Sequence, residues 1–472
     1  VSLKKAEIES KPDWVQVGSQ TYGGSIDNDT SGDHFGRAVA CSHDGTRVIV
    51  GAYVHSTNQG KVIVYDWDGT AWTQVGNTLT GVADQDRFGH KVAISGDGNI
   101  IAVTAPYEHV SGDADKGTVR VYYLVGATWT ILPDSGSLTN ASLTDVFVGS
   151  AANMYLGLGT LQLSYDGKTI AMTEYGYDIT GKVDVGRVLV YKYSNGAWSY
   201  KGTGATQFVG DTADSHFGFG MGMSEDSDHL VLGTLDAGHF VEVYKWDGSS
   251  WGIKGARISQ PGSGNEYFGP AVSISNDGNT MAVGIKNADV AEGAPAENAG
   301  VVYVYHWSGS AWGTPHQLTQ PVTDVDGFGE TQVMSGDGKR IIVGAGLADD
   351  GGTNSGRLYT FEYTGGSWVL RQVPSIGVDG GLNAMVGSGP SGSAHSIAIS
   401  RDGSVIVAGE FGFYTNGRAY AGRVKIYNMP STIKSIWGSN DDVNWTKITT
   451  APTREEATSN VAGLAFGYDD RL

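Results

Sequence analysis

Cysteine is all but missing. Cys41 is the only one, so the chain can form no internal disulfide. That fits a cytosolic protein, and equally a bacterial, viral or algal surface protein that uses none. Proline is sparse, at 12 residues, and no apolar run nears the ~20 residues needed to cross a bilayer. Positive charge is short as well: 31 Lys and Arg face 50 Asp and Glu, a net charge of −19 at pH 7. A surface of that sign repels phosphate backbones, so nucleic acid is excluded as an expected partner. The 11 histidines are scattered, with no His-x-His or His-x-x-x-His, and no zinc site is indicated. There is no Gly-x-Ser-x-Gly elbow, and Gly218-Phe219-Gly220-Met221-Gly222 has no following helix to make a phosphate loop. The chain opens on Val1 rather than Met, so a removed leader is expected.

Glycine, by contrast, makes up 71 of 472 residues. Without a collagen period this means many tight turns between short strands. The 12 Trp, 23 Tyr and 13 Phe supply large apolar anchors. One phrase returns: Asp13-Trp14-Val15-Gln16-Val17-Gly18 recurs as Trp72-Thr73-Gln74-Val75-Gly76, with weaker copies beginning at Trp129, Trp198, Trp251, Trp312 and Trp368. From Trp72 to Trp368, each of these tryptophans follows by seven residues the aromatic that ends a strand-like run, as Tyr65 precedes Trp72 and Phe361 precedes Trp368. Trp14 has no such run before it, and Tyr427 has Lys434, not Trp, at that offset.

Each unit holds four pieces. The first runs from Phe-Gly to a Ser, as in Phe35-Gly36-Arg37-Ala38-Val39-Ala40-Cys41-Ser42. The second is an Asp-Gly turn and an apolar run, Asp44 to Gly51. The third is Gly60 to Tyr65, and the fourth is the Trp strand. Alternating Val, Ile and Tyr between Asp-Gly turns spells antiparallel strands joined as hairpins. The Asp-Gly returns at Asp97, Asp166, Asp277, Asp337 and Asp402, and degrades to Ser224-Glu225-Asp226-Ser227 in the fourth unit, giving seven units in all. Phe-Gly returns at Phe88, Phe217, Phe268 and Phe328; the third and seventh units place Gly157-Leu158 and Ser393-Ala394 there and should pack differently.

The expected fold is all-β: a seven-bladed β-propeller of four-stranded antiparallel blades, with the ring closed by an N-terminal strand around Trp14. Each sheet is apolar on both faces and buries them by stacking around an axis. Phe should wedge between blades, Gly should admit backbone where a Cβ would collide, and Trp should cover the rim. Trp437 is the rival for the seventh outer strand. The domains expected are a lead-in at 1–12, the propeller at 13–428 and an extension at 429–472.

The Phe-Gly, Ser-x-Asp-Gly and Val-Gly-Ala pattern resembles FG-GAP repeats, the blade units of integrin α-subunit propellers and their relatives. The resemblance implies a propeller used outside the cell for adhesion or recognition. Blades of that family often carry an Asp-x-Asp-x-Asp-Gly calcium loop, whereas the turns here are a bare Ser-x-Asp-Gly. The candidate calcium loop lies instead at Asp27-Asn28-Asp29-Thr30-Ser31-Gly32-Asp33, with oxygen ligands at Asp27, Asp29, Ser31 and Asp33. It lacks the closing bidentate Glu, and a solvated acidic loop fits the same residues. The pairs Asp84/Asp86, Asp113/Asp115 and Asp324/Asp326 could bring further carboxylates to an axial mouth. The tail, Ile433 to Ile448, resembles the hairpin of discoidin-like jelly rolls, which bind sugars or lipid head groups. With 24 residues after Ile448, a truncated or processed chain is expected.

The function expected is non-catalytic: an extracellular, cell-surface or virion-surface propeller for adhesion, recognition or structural assembly, with a protein or glycan partner. Calcium is the one cofactor considered. The alternative is a carbohydrate-active enzyme using carboxylates at the axial mouth.

Overall fold

A computed structural model describes residues 2–8, 15–16, 32–132, 146–261, 267–285, 288, 299–319, 327–348, 356–371, 396–412, 420–428, 433–439 and 445–450. The chain forms two compact units, Gly18–Ile426 and a second made of Val1–Val17 with Tyr427–Leu472. Among the described residues the one helical segment is the four-residue His55–Asn58; the rest of the regular structure is strand.

The seven sheets are those of a seven-bladed propeller. In the first blade Ala38–Cys41, Arg47–Ala52, Lys61–Trp67 and Trp72–Gln74 lie side by side in chain order. Ala38 stands opposite Gly51, Gly51 opposite Val62, and Tyr65 opposite Gln74. Second strands such as Thr169–Glu174 and Thr280–Ile285 are buried along their whole length. A strand covered on both faces reads as an apolar run, as in Ile170-Ala171-Met172 and Met281-Ala282-Val283-Gly284-Ile285. The outer edge carries one feature absent from the four-piece unit: beyond the Trp strand a second short strand, Leu79–Thr80 in the first blade, pairs with the start of the third strand.

The Ser-x-Asp-Gly turn works by side-chain capping. In the fifth blade the Ser275 hydroxyl donates to Asp277 Oδ1 at 2.6 Å, and that oxygen accepts the Asn279 N–H at 2.9 Å. Ser275 Oγ in turn accepts the Thr280 N–H at 3.0 Å. Gly278 follows at a φ of +65°, where a Cβ is disfavoured. The degraded fourth turn keeps this geometry, with Ser227 taking the left-handed place at +60° and Asp226 accepting from the Ser224 hydroxyl and the Asp228 N–H.

Neighbouring blades meet glycine on glycine. A Cβ on Gly51 would lie 2.3 Å from the Gly89 carbonyl, and one on Gly409 would lie 1.8 Å from that of Gly36. The second-strand glycines Gly51, Gly233, Gly284 and Gly409 thus meet the Phe-Gly of the next blade, while in the second and third blades Thr104 and Thr173 stand at this joint. The phenylalanines beside them are the wedges expected: Phe35, Phe88, Phe217, Phe268 and Phe328 are fully buried. Phe88 joins Val62, Val64 and Leu79 of the first blade to Val92 and Ile101 of the second.

The third blade corrects the sequence register by one residue. Leu156-Gly157, not Gly157-Leu158, occupies the Phe-Gly place. Leu156 is 1% exposed, its N–H donates to Lys116 O at 3.0 Å just as that of Phe88 donates to Gln59 O, and Gly157 has a φ of +83°. This blade packs like the others, with Leu in the role of Phe. The seventh-blade counterpart, Ser393-Ala394, lies outside the described residues.

The recurring Trp phrase explains itself at the rim. The Trp129 indole N–H donates to Val75 O of the preceding blade at 3.0 Å, and a Cβ on Gly76 would collide with its ring. Trp251 donates to Lys201 O and Trp312 to Lys254 O in the same way. Trp therefore docks backward on one blade, while the residues that end its own strand receive the Trp of the next.

In the second unit Ser2–Ile8 pairs antiparallel with Ile433–Ser439, which pairs with Trp445–Thr450. The segment carrying Trp437 thus pairs with Ser2–Ile8 and is not the seventh outer strand. Val15 and Gln16 pair with Asn428 and Tyr427, so the fourth strand of the seventh sheet comes from the N-terminus. Trp14 lies outside the described residues.

The Leu156 joint shows that Leu can fill the wedge, which sets a scale for Phe88. Phe88→Leu should cost less than about 1.5 kcal/mol, and Phe88→Ala about 3–5 kcal/mol. Guanidinium unfolding of the two variants checks this; equal losses would refute the shared role.

Candidate functional site

The residue between Ser and Asp in each turn faces the axis. These seven are His43, Gly96, Tyr165, Glu225, Asn276, Gly336 and Arg401, and together they line one mouth. Their backbones form a closed circuit. The His43 N–H donates to Gly96 O, Gly96 to Tyr165 O and Tyr165 to Glu225 O, at 2.8–3.0 Å. Asn276 donates to Gly336 O, Gly336 to Arg401 O and Arg401 back to His43 O, again at 2.8–3.0 Å. At the one remaining step Glu225 N–H takes the Asn276 side-chain Oδ1 at 3.3 Å instead of a carbonyl. Ring closure is thus achieved at the axis, inside the unit Gly18–Ile426.

Two of the seven places are glycine for a steric reason. A Cβ on Gly96 would fall 1.9 Å from the Tyr165 ring, and one on Gly336 would meet Asn276 and Arg401. Their neighbours fold over them and cover the mouth. Tyr165 packs edge-on against His43 with ring centroids 5.1 Å apart. Glu225 pairs across the axis with Arg401 at 3.1 Å. Burial pushes the Glu225 carboxyl above its ordinary range, against the lowering pull of Arg401 and His43. Asp166 and Asp226 stand nearby, each with Oδ1 held by its own turn.

Below this mouth the axial channel holds about 270 Å³ and is lined by first strands. Apolar side chains such as Val39, Leu161, Met221 and Ile397 stand in its wall among exposed polar groups. Its polar side chains are engaged: Ser273 donates to Gln332 Oε1, Gln332 to Ala282 O, and Thr160 to Phe219 O.

The Phe-Gly segments form the opposite end, and here the backbone is strained in a repeating way. The residue before Phe, or before its Leu156 stand-in, is left-handed at His34 (φ +54°), Arg87 (+55°), Tyr155 (+48°) and His216 (+44°), with Gly327 at +70° in the sixth blade. Each of the four non-glycines donates its N–H to a carbonyl of the preceding blade: Tyr420, Asn58, Asp115 and Asp184 respectively. Those four acceptor residues are left-handed too. Such conformations cost about 1–2 kcal/mol per residue and mark places where the surroundings dictate side-chain direction.

An aromatic belt accompanies these joints. Tyr107 meets Tyr155 at 5.5 Å, Tyr155 meets Tyr175 at 6.4 Å, and Tyr175 stacks on His216 at 3.8 Å. Further round, Tyr53 lies 5.2 Å from the His90 ring and 6.3 Å from that of His34. Burial lowers the His34 pKa to about 4, and pushes that of His90 well below the ordinary value, with nearby cations adding to both.

Of the calcium loop, Asp27, Asp29 and Ser31 lie outside the described residues. Asp33 is buried and engaged by Lys61 Nζ at 3.1 Å and by His55 Nδ1 at 3.0 Å. The acidic pairs do not converge: Asp86 accepts the Ala83 N–H, Asp113 pairs with Lys116, and Asp115 pairs with His109. Asp324 and Asp326 are outside the described residues. Among the described residues no three His, Cys, Asp or Glu gather as a metal site, and no helix is long and apolar enough to cross a membrane. Sequence reasoning missed the turn residues and the residues flanking Phe-Gly. The available signal was a variable residue at a fixed place in a repeated frame.

Residues 27–65 match the FG-GAP repeat family. A search of curated proteins found no match. Among solved structures the chain is similar to the β-propeller domain of Cps50 (Swd1) from Myceliophteria thermophila, at 10% identity and a TM-score of 0.50, covering 88% of this chain and 99% of that one. It is also similar to a chain of a mitotic checkpoint complex, at 12% identity and a TM-score of 0.50, covering 91% and 96%. A third likeness is to a periplasmic gluconolactonase from Pseudomonas aeruginosa, at 14% identity and a TM-score of 0.43, covering 71% and 85%. Likeness at these identities speaks to fold and not to activity. The discoidin-like resemblance of the tail is not confirmed.

The Glu225–Arg401 pair generates a titration prediction. Removing the guanidinium in Arg401→Met leaves burial unopposed by that charge, so the Glu225 pKa should rise further. Carbon-detected NMR titration of the Glu225 carboxyl reads it; an unchanged or lowered value would sink the assignment.

Proposed function

The chain is a seven-bladed propeller carrying an FG-GAP repeat, and on that premise we propose that it is a non-catalytic recognition module acting outside the cell, in adhesion or in assembly on a cell or virion surface. Its partner is a protein or glycan, taken up at the Phe-Gly end. One observation carries this reading: four inter-blade joints hold His34, Arg87, Tyr155 and His216 in left-handed backbone beside an aromatic belt. Strain repeated at matching places on a rigid ring fits a display surface. Tyrosines supply contact area at low entropic cost. The turn mouth is less suited to hydrolysis. Its axial carboxylate, Glu225, is neutralised by Arg401, and the two aspartates beside it cap their own turns.

The test is a binding screen over glycans and intact surface preparations, run with wild type, Tyr155→Ser and Glu225→Gln. Tyr155→Ser should weaken retention about tenfold, while Glu225→Gln should leave it intact. Turnover of a chromogenic glycoside or lactone panel that is abolished in Glu225→Gln would overturn the reading in favour of an axial enzyme.

A further inference from the structure

Among the described residues the arginines are almost all committed. Arg47 sits on Asp66, Arg120 on Glu108, Arg187 on Glu174 and Arg423 on Glu410. The same holds at Arg257, Arg340, Arg371 and Arg401, while Arg357 donates to the Tyr359 hydroxyl. Two stand apart. Among the described residues, the guanidinium groups of Arg37 and Arg87 have no hydrogen bond and no ion pair, and Arg37 Nε is fully buried without a partner. In a chain with 50 carboxylates and a net charge of −19, counter-ions are not in short supply. Leaving a half-buried guanidinium unmatched costs free energy, because its desolvation is not offset.

Both arginines serve one place. The Arg37 guanidinium lies 5.7 Å from the centre of the Tyr53 ring and that of Arg87 lies 5.9 Å from it. Each lies over a second ring: the Phe411 ring centre is 4.2 Å from the Arg37 guanidinium and that of Tyr107 is 4.2 Å from that of Arg87. Stacking fixes the plane of a guanidinium and leaves its N–H edge open. His90 is 6% exposed, lies 5.2 Å from Tyr53, and has a buried Nδ1 without a partner. His34 completes the group, with its own Nδ1 unpartnered. The acids nearby do not neutralise this cluster. Asp33 is engaged by Lys61 and His55, and the charge of Glu330 reaches Arg37 without an ion pair.

We propose that Arg37 and Arg87, arrayed about Tyr53 with His34 and His90, form a binding site for an oxyanion: a carboxylate, sulfate ester or phosphate ester carried by the partner. This deepens the Phe-Gly-end reading and rests on it. Planar guanidinium forks match such groups, and a partly dehydrated site strengthens each charged hydrogen bond. The long-range field of the acidic chain weakens the binding of a free anion without abolishing it, so the site favours a group delivered by a partner that is held through other contacts as well.

Isothermal titration with sodium acetate, sulfate and phosphate, each at matched ionic strength against sodium chloride, tests it on the full chain. At least one of the three should bind saturably at one site per chain. Arg37→Met and Arg87→Met should each weaken it about tenfold or more, Arg87→Lys should only partly restore it, and Arg401→Met at the other mouth should leave it unchanged. Near-UV dichroism checks that each variant is folded. Absence of saturable binding for all three anions, or equal affinity in folded Arg37→Met, overturns the oxyanion site. The surface-binding screen separates this from the wider reading. Retention that survives in Arg37→Met but not in Tyr155→Ser would keep the Phe-Gly end as the recognition face while the oxyanion site falls.

Discussion

Six backbone amides around the axis each point at the carbonyl of the next blade, and a seventh points at a side-chain oxygen standing in for one. This circuit is the constraint on which the rest depends. It can close only if every blade presents a turn of the same height and pitch. That is why a Ser hydroxyl and an Asp carboxylate brace every one of the turns, and why Ser227 accepts left-handed backbone where a glycine would relieve it. The side chain between Ser and Asp is released from structural duty, because the circuit uses only backbone at all but Asn276. With Gly96 and Gly336 set by sterics and Asn276 by its hydrogen bond, the other four places, His43, Tyr165, Glu225 and Arg401, can therefore differ in chemistry while the ring stays closed.

The blade joints follow the same logic at a larger radius. At four joints glycine meets glycine between second strand and Phe-Gly segment, indole donates to carbonyl at the rim, and a large apolar side chain fills the space between. Each contact runs from one blade to its neighbour in a single direction. The stabilising interactions are thus shared among near-identical joints, as in other repeat architectures, with no single central core.

Local, periodic features were legible in the sequence. The seven-residue step from Tyr65 to Trp72, the Asp-Gly turns and the Phe-Gly pairs each encode a strand end or a turn through nearest neighbours, and the seven blades follow. The register at Leu156-Gly157 was not legible, since shifting one residue keeps a glycine in the motif, and burial of Leu156 decides the matter in three dimensions. The strand at Ser2–Ile8 was hidden because its Lys4, Lys5 and Glu7 break any alternation. The chemistry of the site was the least readable. Arg37, Tyr53 and Arg87 are separated from Phe411 by most of the chain, and nothing local says that one guanidinium will find a carboxylate and another will not. Only the ring, which brings the seventh blade beside the first, places Phe411 against Arg37.

The left-handed residues ahead of Phe-Gly bear on how such a molecule changes over time. Gly327 shows the relaxed solution, since glycine occupies that region without penalty. At the other four joints a side chain persists at a thermodynamic disadvantage. A lineage drifting under selection for folding alone would replace these side chains with glycine and gain stability as it did so. Under the proposed recognition role, chemical identity at these positions records what the surface is retained for, and exchanging a few of them would redirect binding while the scaffold stayed as it is.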